Sequence, residues 1–212
     1  MTAQTRIEGM AAPLPVGNLD TDQIMPKQFL RRIDKAGLAE GLLYDMRFDP
    51  DGKPRSDFVL NRPEYAAAEI LVAGPNFGCG SSREHAVWGL MQYGIRAVIA
   101  PSFGEIFYSN AMNNGLMLAA LAEADVEIIL ADVSKPEHSR LVIDVASMSV
   151  RSRSLTAPFS LSERHRRMFV EGLDMVGATL AMRDRIDAFA AGHWRQRPWL
   201  KDIASMTKKR LA

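Results

Sequence analysis

Residues 76 to 86 read NFGCGSSREHA and bring two serines, an arginine, a glutamate, a histidine and the chain's single cysteine into one short stretch. Several chemistries fit such a set. Ser81 and Glu84 stand at the S-x-x-E spacing of a capping box, in which the serine does no more than close a helix. Cys79 and His85 would form a nucleophile and base if the fold turned them together. Gly78 and Gly80 would bare backbone N–H groups ahead of a helix N-terminus, whose partial positive charge suits an anion. Arg83 adds a planar fork that matches a carboxylate. A serine hydroxyl in that field could be held as an alkoxide, a base strong enough to take a weakly acidic C–H proton. That last combination points to a carboxylate substrate beside a serine base. The stretch is not G-x-S-x-G, G-x-x-x-x-G-K-[ST] or G-x-G-x-x-G, which leaves a nucleophile elbow, a P-loop and a dinucleotide site without support.

The elements around this loop are patterned as strand and helix. AEILVAG (68–74) is a short apolar run ending in glycine, which predicts a buried strand. After the loop, Val87, Leu90 and Met91 recur at helical spacing and Gly94 closes the helix. AVIAP (97–101) predicts a second strand, GEIFYSNAMNNG a second helix, and LMLAAL (116–121) a third strand. Such alternation implies parallel βαβ units with right-handed crossovers. Upstream, residues 1–17 predict an irregular lead-in with a short strand, followed by a polar loop, NLDTDQIMPKQFL (18–30). Residues 31–62 read as a mobile loop region with a helical turn near Leu38–Leu43. Downstream, RLVIDVASMSV (140–150) alternates as one strand, and a further short strand is expected near 155–159. Residues 160–212 carry C-terminal helices, with Ser162 capping the first. The whole, 1–212, is expected to be a single three-layer α/β domain with a mixed sheet.

Composition limits the partners. The chain has 212 residues, 47% hydrophobic and 24% charged, and its 26 basic against 25 acidic residues give a net charge of +1. That balance argues against nucleic-acid or membrane binding by bulk electrostatics. No segment reads as a signal peptide or membrane span. One cysteine cannot hold an iron–sulfur cluster, which takes about three or four thiolates, and the 4 histidines lack metal-site spacing. No metal site is expected in this chain.

NFGCGSSREHA, followed by AVIAPSFGEIFYSNAMNNG, resembles the swivel domain of the aconitase superfamily. NLDTDQIMPKQFL, DFVLNRPEY and GLDMVGATL agree in order and spacing with its isopropylmalate dehydratase small subunits. The resemblance covers nearly the whole chain. It implies a β/β/α swivelling domain that closes over a large partner subunit, as a heterodimer or heterotetramer, with the [4Fe–4S] cluster on that partner and none bound here. It also implies reversible dehydration and rehydration of a small di-acid in the cytoplasm, with this chain inactive alone. By the same resemblance Ser81 is the base that removes the proton next to a carboxylate. Ser82 and Arg83 bind substrate carboxylate, and Asp22 supports the arginine. Arg31, in the variable FLRR segment, is a candidate substrate contact. The sequence departs from the family pattern at Glu171 and around SLSERHRRMF. Isopropylmalate therefore stands beside citraconate, 2-methylmalate or dimethylmaleate as substrate, and beside a swivel protein that binds carboxylates without catalysis.

Overall fold

The structure is a computed structural model, and it describes residues 2–30 and 36–211. It divides into two compact units, Met1–Asp174 and Met175–Ala212.

In the first unit the chain runs β1 (Arg6–Leu14), α1 (Thr21–Ile24), α2 (Tyr44–Arg47), β2 (Ala68–Ala73), α3 (Glu84–Tyr93), β3 (Ala97–Ala100), α4 (Glu105–Asn114), β4 (Met117–Ala120), α5 (Glu123–Val133), β5 (Arg140–Asp144), β6 (Ser149–Arg151), β7 (Thr156–Pro158) and α6 (Glu163–Glu171). The strands form one seven-stranded mixed sheet in the order β4-β3-β2-β1-β5-β6-β7. Its first four strands are parallel, and β5, β6 and β7 continue it antiparallel. The α/β class with a mixed sheet is therefore as the sequence predicts.

The two halves of the sheet carry the side-chain patterns their surroundings demand. Ile70–Ala73, Ala97–Ala100 and Met117–Ala119 are buried without alternation, as parallel strands covered on both faces must be. In β5, Leu141 and Ile143 are fully buried while their neighbours are not, so one face of this half meets solvent. β1 joins the halves. It pairs parallel with β2 at Ala11↔Ile70 and antiparallel with β5 at Ile7↔Ile143.

Three expectations are corrected. The predicted strand at 140–150 is a hairpin, because Asp144 Oδ1 accepts the Ser147 N–H at 2.8 Å and Met148 adopts a left-handed φ of 52°. The lead-in strand is not short; it runs through Arg6–Leu14 at the centre of the sheet. α5, absent from the sequence reading, packs against β1, β2 and β3. Asp132 near its end accepts the Ser152 hydroxyl (2.7 Å), the Ser154 N–H (2.9 Å) and the Ser154 hydroxyl (2.7 Å), and so staples α5 to the β6–β7 turn.

Within 31–62, the described residues form short turns at Leu38–Gly41 and Val59–Asn61 on either side of α2, with Leu38, Leu42 and Leu43 fully buried. The second unit holds α7 (Met175–Leu180), α8 (Arg183–Gln196) and α9 (Ile203–Leu211). None of its described residues is buried. No helix of the described residues is long and apolar enough to cross a membrane.

Candidate active site

The loop after β2 is shaped by close backbone approaches. The Gly78 N–H donates to the Leu19 carbonyl at 2.7 Å, and the Phe77 N–H to the Ser102 carbonyl at 3.1 Å. Gly78 has φ +74°, and a Cβ there would lie 2.3 Å from the Phe107 ring. Gly80 has φ +90°, so both positions take a conformation that glycine reaches without strain. The chain passes between the segment before α1 and the start of α4, and emerges exposed at Gly80, Ser81 and Ser82.

The capping-box reading of Ser81 is overturned. α3 starts at Glu84, and its N-cap is Arg83, in extended conformation and without a side-chain cap. Ser81 stands two residues before that cap. Glu84 does not reach back either: its Oε1 accepts from Asn114 Nδ2 at 2.6 Å, and Asn114 Oδ1 accepts from Trp88 Nε1 at 3.0 Å. The serine hydroxyl is thus left for other work, and the uncapped N-terminus of α3 keeps its partial positive charge.

Nor does a cysteine nucleophile assemble. The Cys79 thiol donates to the Asn18 carbonyl at 3.4 Å, while the His85 ring lies 4.9 Å from the Trp88 ring. Among the described residues, no three His, Cys, Asp or Glu side chains are grouped as a metal site.

The residues that do come together lie on the loop and on α1. Arg83 forms an ion pair with Asp22. The Arg83 side chain is 18% exposed, so its guanidinium is held at the edge of the protein rather than free in solvent. α1 is itself fixed by a capping box that the sequence reading missed. Asp20 Oδ1 accepts the Gln23 N–H at 2.8 Å, and the Asp20 N–H donates to Gln23 Oε1 at 3.0 Å. The D-x-x-Q spacing was the signal for it. Thr21, also passed over, is 1% exposed. Its hydroxyl donates to the Ser81 carbonyl at 2.9 Å, and its N–H to the Cys79 carbonyl at 2.9 Å. Ser81, Ser82, Arg83 and Asp22 therefore belong to one cluster, whereas Arg31 lies outside the described residues.

An exposed serine, an oriented guanidinium and an uncapped helix N-terminus make a half-site. It can hold a carboxylate and present a base, but it lies open at the surface.

Comparison with known proteins adds four findings. Residues 1–124 match the family model of the aconitase C-terminal domain. The 3-isopropylmalate dehydratase small subunit 1 of Chromobacterium violaceum is 87% identical over 212 residues, the full length of both chains. A small subunit of the same enzyme from Caulobacter vibrioides is 46% identical over 202 residues, 95% of this chain and 100% of the relative. Among solved structures, the 3-isopropylmalate dehydratase of Methanocaldococcus jannaschii superposes with a TM-score of 0.61 at 29% identity, covering 87% of this chain and 99% of the other.

Proposed function

The chain belongs to the family of 3-isopropylmalate dehydratase small subunits, and from that premise we propose that it serves a hydro-lyase interconverting 2-isopropylmalate and 3-isopropylmalate through isopropylmaleate in leucine biosynthesis. Full-length identity of 87% to a small subunit of that enzyme carries the reading, and it favours isopropylmalate over the smaller di-acids.

In this proposal Ser81 takes the proton from the carbon next to a substrate carboxylate and returns it on rehydration. Its exposed position, just ahead of an uncapped helix, supports the role, because the alkoxide form that acts as the base is favoured there. Arg83 binds a carboxylate with Ser82 beside it, and Asp22 sets the plane of the guanidinium. The catalytic unit is Met1–Asp174, in which all four residues lie.

The residues of this chain do not fit an iron–sulfur cluster: there is one cysteine, and the described acidic and histidine side chains form no metal group. The cluster is assigned to the large partner subunit, and the open half-site is completed by that subunit. A cytoplasmic location goes with this reading and suits the free thiol of Cys79.

The test is reconstitution under anaerobic conditions with the large subunit of the same organism. Hydration of isopropylmaleate is expected from the mixture and from neither chain alone. In the assembled enzyme Ser81→Ala is expected to lower kcat by about 10²–10⁴-fold. A mixture that forms a complex yet leaves isopropylmaleate untouched overturns the function, and a Ser81→Ala enzyme with normal turnover overturns the base.

A further inference from the structure

α1 holds the reaction loop at three successive points. The Thr21 N–H takes the Cys79 carbonyl and its hydroxyl takes the Ser81 carbonyl, both at 2.9 Å, and Asp22 pairs with Arg83. The middle contact bears on the serine itself. Ser81 and Ser82 are exposed, so little packing holds their backbone in place. The Thr21 hydroxyl, by contrast, belongs to a residue only 1% exposed, on a helix fixed by its own capping box. A buried donor aimed at one carbonyl of an exposed loop is a rigid anchor for that peptide unit.

Peptide planarity carries the effect further. In a trans peptide the carbonyl and the following N–H point in opposite directions. Drawing the Ser81 carbonyl toward Thr21 therefore turns the Ser82 N–H the other way. Among the described residues, neither the Ser81 N–H nor the Ser82 N–H finds an acceptor. The anchored peptide leaves a donor available to the Ser81 alkoxide before proton transfer or to the negative charge that builds on the substrate carboxylate during it.

We propose that Thr21 is a positioning residue for the dehydration: its hydroxyl, by holding the Ser81 carbonyl, fixes the base and the orientation of the adjacent N–H. The inference rests on the proposed role of Ser81. Thr21 does not itself touch substrate. Its side-chain oxygen does one thing a methyl group cannot, which makes the role separable from packing.

The experiment compares Thr21→Val, Thr21→Ser and Ser81→Ala, each assembled with the large subunit. It reads kcat, KM, exchange of solvent deuterium into isopropylmalate, and the thermal midpoint. Thr21→Val is expected to lower kcat and the exchange rate together by about 10- to 100-fold, the range usual for groups that orient a reacting one, with KM within about twofold. Thr21→Ser keeps the hydroxyl and is expected to restore both rates to within about threefold, even where the two variants melt alike. If Thr21→Ser is as slow as Thr21→Val, the methyl packing matters and the proposal fails. If Thr21→Val turns over normally while Ser81→Ala is inactive, the proposal fails and the base assignment stands. Normal turnover by Ser81→Ala removes the base and this inference with it.

Discussion

The Asp22 carboxylate of α1 is paired with the Arg83 guanidinium at the N-cap of α3, so residues 61 positions apart in sequence share one charge-assisted contact. The Asp22 side chain is 41% exposed and that of Arg83 18%, so the pair is only partly open to water and contributes about 1 kcal/mol or less to stability. In the proposed function its value lies in orientation, because a guanidinium binds a carboxylate well only in the right plane. Asp22→Asn is accordingly expected to leave the urea midpoint almost unchanged while raising KM for isopropylmalate about 10- to 100-fold in the assembled enzyme. Steady-state kinetics and urea titration of the same preparation check the two halves together. A large loss of stability with an unchanged KM would make the pair structural.

Gly78 tests how tightly the loop is seated. A Cβ there meets the Phe107 ring at 2.3 Å, and the residue sits at φ +74°. Steric overlap and backbone strain act together, so Gly78→Ala is expected to destabilise the chain by about 2–5 kcal/mol. Phe107→Leu in the same chain should recover part of that loss, since it removes the ring but leaves the unfavourable φ. Denaturant unfolding of the single and double variants measures both parts. A Gly78→Ala variant as stable as the parent would contradict the packing described here.

Cys79 lies two residues before Ser81 yet has no part in the proposed chemistry. Its thiol donates to the Asn18 carbonyl, a bond that a serine hydroxyl can replace. Cys79→Ser is expected to keep turnover within about threefold and to leave the iron content of the assembled enzyme unchanged. Iron assay and kinetics on the purified complex decide it. Loss of iron would place Cys79 among the cluster ligands and refute the assignment of the whole cluster to the partner.

The parallel half of this fold was legible in the sequence because each element there satisfies its own rule. AEILVAG and AVIAP are short apolar runs closed by a breaker, and the helix that follows each is closed by a glycine, Gly94 and Gly115. The antiparallel half was harder to read. The turn between β5 and β6 is set by an Asp144 side-chain bond and a left-handed Met148, neither of which interrupts the alternation of RLVIDVASMSV. The loop residues stood out by type, but their arrangement did not. S-x-x-E spacing predicts a cap at Ser81, and it failed because Asn114, 30 residues on, takes the Glu84 carboxylate. Thr21 was passed over for a similar reason. Its partner is a backbone carbonyl 60 residues away, and no local spacing encodes that contact.

Asp132 gives the fold a pH dependence of definite sign. Burial raises its carboxyl pKa, but the hydroxyls of Ser152 and Ser154 and the Ser154 N–H outweigh that, and His138 adds a smaller attraction. The net effect holds the group below the usual carboxylate range. With its folded pKa depressed, Asp132 contributes stability that is complete above the unfolded value of about 4 and is lost as pH falls through the folded value. Asp144, lowered chiefly by the Ser147 N–H, acts in the same direction. The urea midpoint of the parent chain is therefore expected to fall below about pH 4. Asp132→Asn should lower the midpoint at pH 7 and then lose less on acidification, so that the gap between the two chains narrows as pH falls. A gap that stays constant from pH 7 into the acid limb would show that the carboxylate charge is not what holds α5 to the β6–β7 turn.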